Sequence, residues 1–274
     1  MTYATLLAHL DLSHTNAAVL KTVETLAAQF DARVIGIAAC QPIQIVGSDG
    51  YIAGEAVAAC EDEFEKELRE AEATFRASFS YSRRPVDWRS TITGIPLSDY
   101  IAREARSADL VITCMHPAVR FEHSKHVSIG DLVMRTGRPV LMVPDQGQEA
   151  MFDRIVIAWK DGREARRAAM DALPLLKRAS HVSVVEIAPY GETASALNRV
   201  RDVAAWLLAQ GVDAVPIVET SSEDNASHLE TILNQQRADL VVAGAYGHSR
   251  LHEWAFGGVT KQLLSGSRLA LLSH

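Results

Sequence analysis

Cysteine is scarce in this chain: there are three in 274 residues (Cys40, Cys60 and Cys114), with no CxxC pair among them. An odd number of widely spaced thiols argues against a disulfide framework and for a reducing compartment. Basic charge is not in excess either, with 27 Lys+Arg against 34 Asp+Glu and a formal charge of −7. Pairs such as Arg83-Arg84 and Arg166-Arg167 never lengthen into a stripe, so no nucleic-acid or anionic-membrane partner is expected. No apolar run approaches the ~20 residues that a membrane helix needs. The start, Met1-Thr2-Tyr3-Ala4-Thr5, has neither a basic n-region nor a small-residue cleavage site. The expectation is a cytoplasmic globular protein. G-x-x-x-x-G-K-[ST], G-x-G-x-x-G and G-x-S-x-G are also missing, which removes three common enzyme signatures.

What is present is a repeat. Ala108-Asp109-Leu110-Val111 recurs as Ala238-Asp239-Leu240-Val241, a shift of 130 from Ala108 to Ala238. Kept without a gap, that shift matches Arg120 to Arg250, Arg138 to Arg268 and Leu141 to Leu271. Nearer the starts of the halves, Leu6-Leu7-Ala8 resembles Ile155-Val156-Ile157-Ala158 at a larger shift, so insertions separate the two regions. Solenoid repeats are far shorter, and the period therefore means two copies of one domain. The polar stretch Pro144-Asp145-Gln146-Gly147-Gln148-Glu149 reads as the linker, placing the domains at 1–144 and 151–274.

Strands and helices alternate in each half. The first reads strand 4–10, helix 14–30, strand 32–39, helix 54–79, strand 86–92, helix 97–106, strand 109–114, helix 128–136 and strand 139–143. The second reads strand Arg154–Trp159, helix Glu164–Ala179 kinked at Pro174, strand Val182–Ala188, helix Thr193–Gln210 ended by Gly211, strand Val212–Val218, helix Ala226–Gln236, strand Asp239–Ala245, a short helix near Gly258–Leu264, and strand Arg268–Leu272. Continuously apolar strands such as Leu240-Val241-Val242-Ala243 signal burial on both faces. The fold class is α/β: two tandem domains, each a five-stranded, mainly parallel sheet with helices on both faces.

In such a sheet the ligand crevice lies beyond the carboxyl ends of the strands. There the second half reads Gly244-Ala245-Tyr246-Gly247, then nine residues, then Gly257-Gly258-Val259-Thr260 before a helix. Glycine admits close backbone approach, and free N–H groups at a helix start suit a phosphate. The same glycines also fit plain turns, and the spacing alone leaves both readings open.

Gly244-x2-Gly247-x9-Gly257, after a buried strand and before a short helix, resembles the nucleotide motif of the universal stress proteins, and the resemblance covers the whole chain as two copies. It implies a Rossmann-like domain of the adenine-nucleotide-alpha-hydrolase-like kind, dimerisation through the last strand, and in some members ATP or AMP, with Mg²⁺ if ATP. In a tandem chain the two halves would form that pair within one molecule, with a homodimer of the whole chain as a further option. The resemblance also implies a regulatory role in the response to stress, with no more than weak ATP hydrolysis.

Carried over by position, Gly244 and Gly247 line the ribose and phosphates, and Gly257, Gly258, Val259 and Thr260 form the phosphate loop. Gly258 stands where Ser or Thr is usual. Ala158 ends the first strand of this half. Asp161 lies beside the position of an acidic residue that contacts base and ribose, which Lys160 occupies here, and Ile187 matches an apolar position packed on the base. In the first half the equivalents of Gly244, Gly247 and Gly257 are Cys114, Pro117 and Val127, so that half is not expected to hold a nucleotide in the family manner. Its loop carries Cys114, His116, His123 and His126 instead, types that can bind Zn²⁺ but equally suit a polar surface loop. No metal is expected. Two other readings stay open, a nucleotide-free protein-interaction module and a slow ATP hydrolase.

Overall fold

Among the described residues, aliphatic runs bounded by turns become ten strands. In the first half these are β1 (Thr5–His9), β2 (Arg33–Cys40), β3 (Val86–Ile92), β4 (Leu110–Met115) and β5 (Val140–Pro144). In the second they are β6 (Arg154–Ala158), β7 (His181–Ala188), β8 (Ala214–Thr220), β9 (Leu240–Gly244) and β10 (Leu269–Ser273). The structure, a computed structural model, describes residues 2–42, 54–82, 84–115, 124–145, 151–220, 225–245 and 268–274. The expected helix near Gly258–Leu264 and the linker glycine Gly147 lie outside these residues.

The two five-stranded units merge into one sheet of ten strands, in the order β3-β2-β1-β4-β5-β10-β9-β6-β7-β8. Among the described residues all pairings within each half are parallel, and the seam between β5 and β10 is antiparallel. There Leu271 lies opposite Leu141, flanked by Ala270 opposite Met142 and Leu272 opposite Val140. Leu141 and Leu271 are the residues that the 130-residue shift equates, so the seam is centred on a pseudo-twofold axis. It is isologous, as in a symmetric dimer, but formed inside one chain.

Helices α1 (Ala17–Phe30), α2 (Gly54–Ser78), α5 (Arg163–Asp171), α6 (Leu173–Leu176) and α7 (Thr193–Ala209) cover one face. The other carries α3 (Leu97–Glu104), α4 (Ile129–Thr136) and α8 (Asn225–Gln235). The helix expected over Glu164–Ala179 is divided at Ala172 into α5 and α6, with Pro174 in the first turn of α6, where its missing N–H costs nothing. Gly211 follows α7 at φ +85°, as its C′ role requires.

The repeated aspartates do the same work twice. Asp109 Oδ2 accepts from the backbone N–H of Ala4 and Thr5 at 2.8 and 2.9 Å, and Asp239 Oδ2 from those of Asp153 and Arg154 at 3.2 and 2.9 Å. Each carboxylate anchors the start of its half's first strand. The halves differ mainly between their second and third strands: Val34 pairs with Val86, 52 positions on, whereas Val182 pairs with Ala214, 32 positions on. Part of the excess lengthens α2 to 25 residues against 17 in α7.

Beyond the seam, the second half docks on the first through α5 and α6. The Tyr3 hydroxyl donates to the Asp171 carbonyl at 2.7 Å. Phe30 meets Tyr3 edge to face at 5.1 Å, and the Arg178 guanidinium lies 5.0 Å from the Phe30 ring centroid.

Candidate functional site

Strand order turns back between the first and fourth strands of each half, which is where a ligand crevice forms in sheets of this kind: at the carboxyl ends of β1 and β4, and of β6 and β9. Register fixes which residues correspond there. Leu6 pairs with Leu110 and Ile155 with Leu240. His9 therefore corresponds to Ala158, Asp11 to Lys160, Thr113 to Ala243, Cys114 to Gly244 and Met115 to Ala245. By the β2–β3 and β7–β8 registers, Ala39 corresponds to Ile187.

In the first half, side chains fill this place. His9, Thr113, Cys114 and Met115 are all buried, and His9 Nδ1 lies 2.8 Å from the Thr113 hydroxyl. Asp11, also buried, accepts from the Ser13 backbone N–H at 2.8 Å, while the Asn16 side chain bonds both the N–H and the carbonyl of Asp11. This closed turn delays α1, which starts at Ala17 rather than at the expected position 14.

In the second half Ala158, Ala243, Gly244 and Ala245 replace His9, Thr113, Cys114 and Met115, whereas Ile187 is larger than its counterpart Ala39. Ala158, Ile187 and Gly244 are partly exposed, and Ala243 and Ala245 are buried. A Cβ on Gly244 would lie 2.4 Å from the Ala165 backbone nitrogen and 2.5 Å from the Glu164 carbonyl carbon. The close approach that this glycine permits is thus to the first turn of α5. That helix begins five residues after Ala158, whereas α1 begins eight after His9. The later start in the first half is why a cysteine fits at position 114.

Asp161 is exposed and paired with Arg166 at 2.7 Å. Lys160 is exposed too, without an acidic partner among the described residues. Glu164 is buried at the start of α5. Burial works to raise its pKa, but a 2.5 Å hydrogen bond from Arg163, its own backbone N–H, and the charges of Arg163 and His274 hold the carboxyl below the usual range. Its role depends on a contact distant in sequence and left no local signal. Trp159 Nε1 and Ser273 Oγ are also buried at this edge, without hydrogen-bond partners among the described residues. Gly247, Gly257, Gly258, Val259 and Thr260 lie outside the described residues, so of the sequence-derived candidates the structure brings Ala158, Asp161, Ile187 and Gly244 to one end of the sheet.

Of the thiol and imidazole candidates for a metal, His116 and His123 lie outside the described residues. Among the described residues no group of three or more His, Cys, Asp or Glu is placed to hold an ion. Burial, with Asp145 and Asp11 nearby, pushes the Cys114 thiol up to about 12, and burial with Glu67 nearby pushes Cys40 up to about 11. Both stay protonated at neutral pH, and a thiol is a far poorer nucleophile or ligand than a thiolate. Maleimide added to the folded protein at pH 7.5 is therefore expected to label half-exposed Cys60 first. Cys40 and Cys114 should follow only on unfolding, as peptide mass spectrometry after timed quenching would read. Prompt labelling of Cys114 would show that the first crevice opens.

No protein-family model matches the chain, and no curated protein matches it. Solved structures do. A universal stress protein from Archaeoglobus fulgidus DSM 4304 is 13% identical, with a TM-score of 0.71, over 98% of this chain and 97% of its own. A functionally unknown protein from Pseudomonas aeruginosa PAO1 is 14% identical, with a TM-score of 0.62, over 99% and 92%. The cytoplasmic domain of a prokaryotic cation chloride cotransporter is 11% identical, with a TM-score of 0.53, over 99% and 95%. One architecture thus serves different proteins, as fold and function separate in general. What the likeness shows is the fold: two universal-stress-protein-like α/β domains in tandem.

Proposed function

We propose that the chain is a universal stress protein that binds an adenine nucleotide, ATP or AMP, at the carboxyl end of the second half's sheet, and that it serves as a cytoplasmic regulatory module in the stress response. The observation that carries this reading is the contrast between the two crevices. His9, Thr113 and Met115 occupy the place in the first half, while Ala158, Ala243 and Ala245 leave it to backbone and methyl groups in the second. Charge there is mixed: exposed Lys160 stands at the counterpart of buried Asp11, and buried Glu164 lies beside Gly244.

In this reading Ala158 and Ile187 support the base, and Gly247, Gly257, Gly258, Val259 and Thr260 supply amides and a hydroxyl to ribose and phosphates. Mg²⁺ accompanies ATP as its counterion. Hydrolysis would need groups that position a water molecule as well, and the reading assigns none. Binding is read out through a shift in population of the loop at 246–257.

The test transplants the first half's plug into the second. Calorimetry of the full chain with ATP and Mg²⁺ is expected to show binding, and Ala158→His with Ala243→Thr is expected to weaken it at least about tenfold, with the fold kept because the first half already holds that pair. No heat from the wild-type chain would overturn the reading and favour a nucleotide-free interaction module.

A further inference from the structure

Next to Ile187 the sheet carries a polar pair that no motif singles out. Ile187 and Glu219 are register partners on β7 and β8, so their Cα atoms lie about 4.8 Å apart on one face of the sheet. Ile217 shares that face, and Ala158 and Ile187 pack toward the same core. All of these are partly exposed, so together they form a small apolar floor with a carboxylate at its outer rim. His228, on α8, faces that carboxylate with Nε2 4.0 Å from Oε2.

A separation of 4.0 Å is too long for a hydrogen bond. Each group therefore keeps hydrogen-bonding capacity toward a third party. An ionised carboxylate only accepts, and the imidazole nitrogen beside it is favoured as N–H. Such an acceptor next to a donor complements the base edge on which an exocyclic amine sits beside a ring nitrogen. Among the described residues the first half has no such pair at these positions. By the same register Ala39 and Thr91 stand where Ile187 and Glu219 do, and the Thr91 hydroxyl is turned to the Ile92 carbonyl at 3.2 Å. The 130-residue shift places buried Ser98 opposite His228.

We propose that Glu219 and His228 read the amino edge of the base, Glu219 accepting from the exocyclic amine and His228 donating to the adjacent ring nitrogen. This rests on the nucleotide reading given above. It makes Glu219 a determinant of base specificity, while the floor supplies area.

The experiment is a cycle between one side chain and one ligand group. ATP and purine riboside triphosphate, which differ only in the exocyclic amine, are titrated into the full chain and into Glu219→Ala. The wild-type chain is expected to prefer ATP by about tenfold, the worth of one hydrogen bond to a charged group. In Glu219→Ala the two ligands should bind within about twofold of each other. The half-exposed carboxylate is not part of the core, and an unchanged melting temperature will show that the fold is intact. A preference that survives in the variant overturns the assignment while leaving nucleotide binding standing. Absence of binding by either ligand to the wild-type chain overturns both.

Discussion

Gly244→Ala is expected to lower the stability of the chain by about 3 kcal/mol, toward the upper end of what overpacking costs. The added carbon would sit 2.4 Å from the Ala165 backbone nitrogen and 2.8 Å from Glu164 Cβ. A backbone atom in the first turn of a packed helix cannot swing aside as a side-chain tip can, so α5 must lift from the sheet. Lifting it strains the hydrogen bond from Tyr3 to Asp171 at the other end of the helix. Urea denaturation followed by circular dichroism measures the loss, and a change below about 1 kcal/mol would show that α5 yields freely. The same substitution would perturb a bound ligand indirectly, which is why the binding test above uses Ala158 and Ala243 instead.

The second large effect lies at the seam. Leu271→Ala is expected to cost about 3 kcal/mol, in the range for a fully buried leucine, and Leu141→Ala about as much. The two residues stand opposite each other on one face. The double variant should therefore cost less than the two single losses combined, by about 1 kcal/mol, because the second truncation removes a partner already lost. Strict additivity in denaturant titrations would mean that the two side chains do not touch across the axis.

Much of the architecture was legible in the residues. The shift relating Leu141 to Leu271 pointed to two equivalent units, and the structure places those same leucines at the centre of the join. Strand 86–92 is found as read, and the helix expected at 54–79 is one residue shorter. An error fell where a local turn overrides periodicity. Asn16 bonds back to Asp11 and holds residues 14–16 out of α1. At Ala172 the helix is interrupted just ahead of Pro174, with the backbone still right-handed helical, as the expected kink requires.

The site was less legible, for a reason of distance. Gly244 signals close approach, but nothing local says what approaches, and the neighbour proves to be a helix 80 residues earlier in the chain. The pairing of Ile187 with Glu219 depends in the same way on strand register, which period-two patterning leaves open along the edge strand β8.

Joining β5 to β10 within a single polypeptide also changes what each unit must preserve. Two separate copies of one gene product would have to meet in solution and would share every substitution. Tethered, they associate at an effective concentration set by a short connection, whatever the abundance of the protein. One partner can then surrender its pocket to packing, as His9 and Met115 have done, while still lending its edge to the other. The outcome is two unlike partners joined in one chain, which the proposed reading assigns as scaffold and receptor.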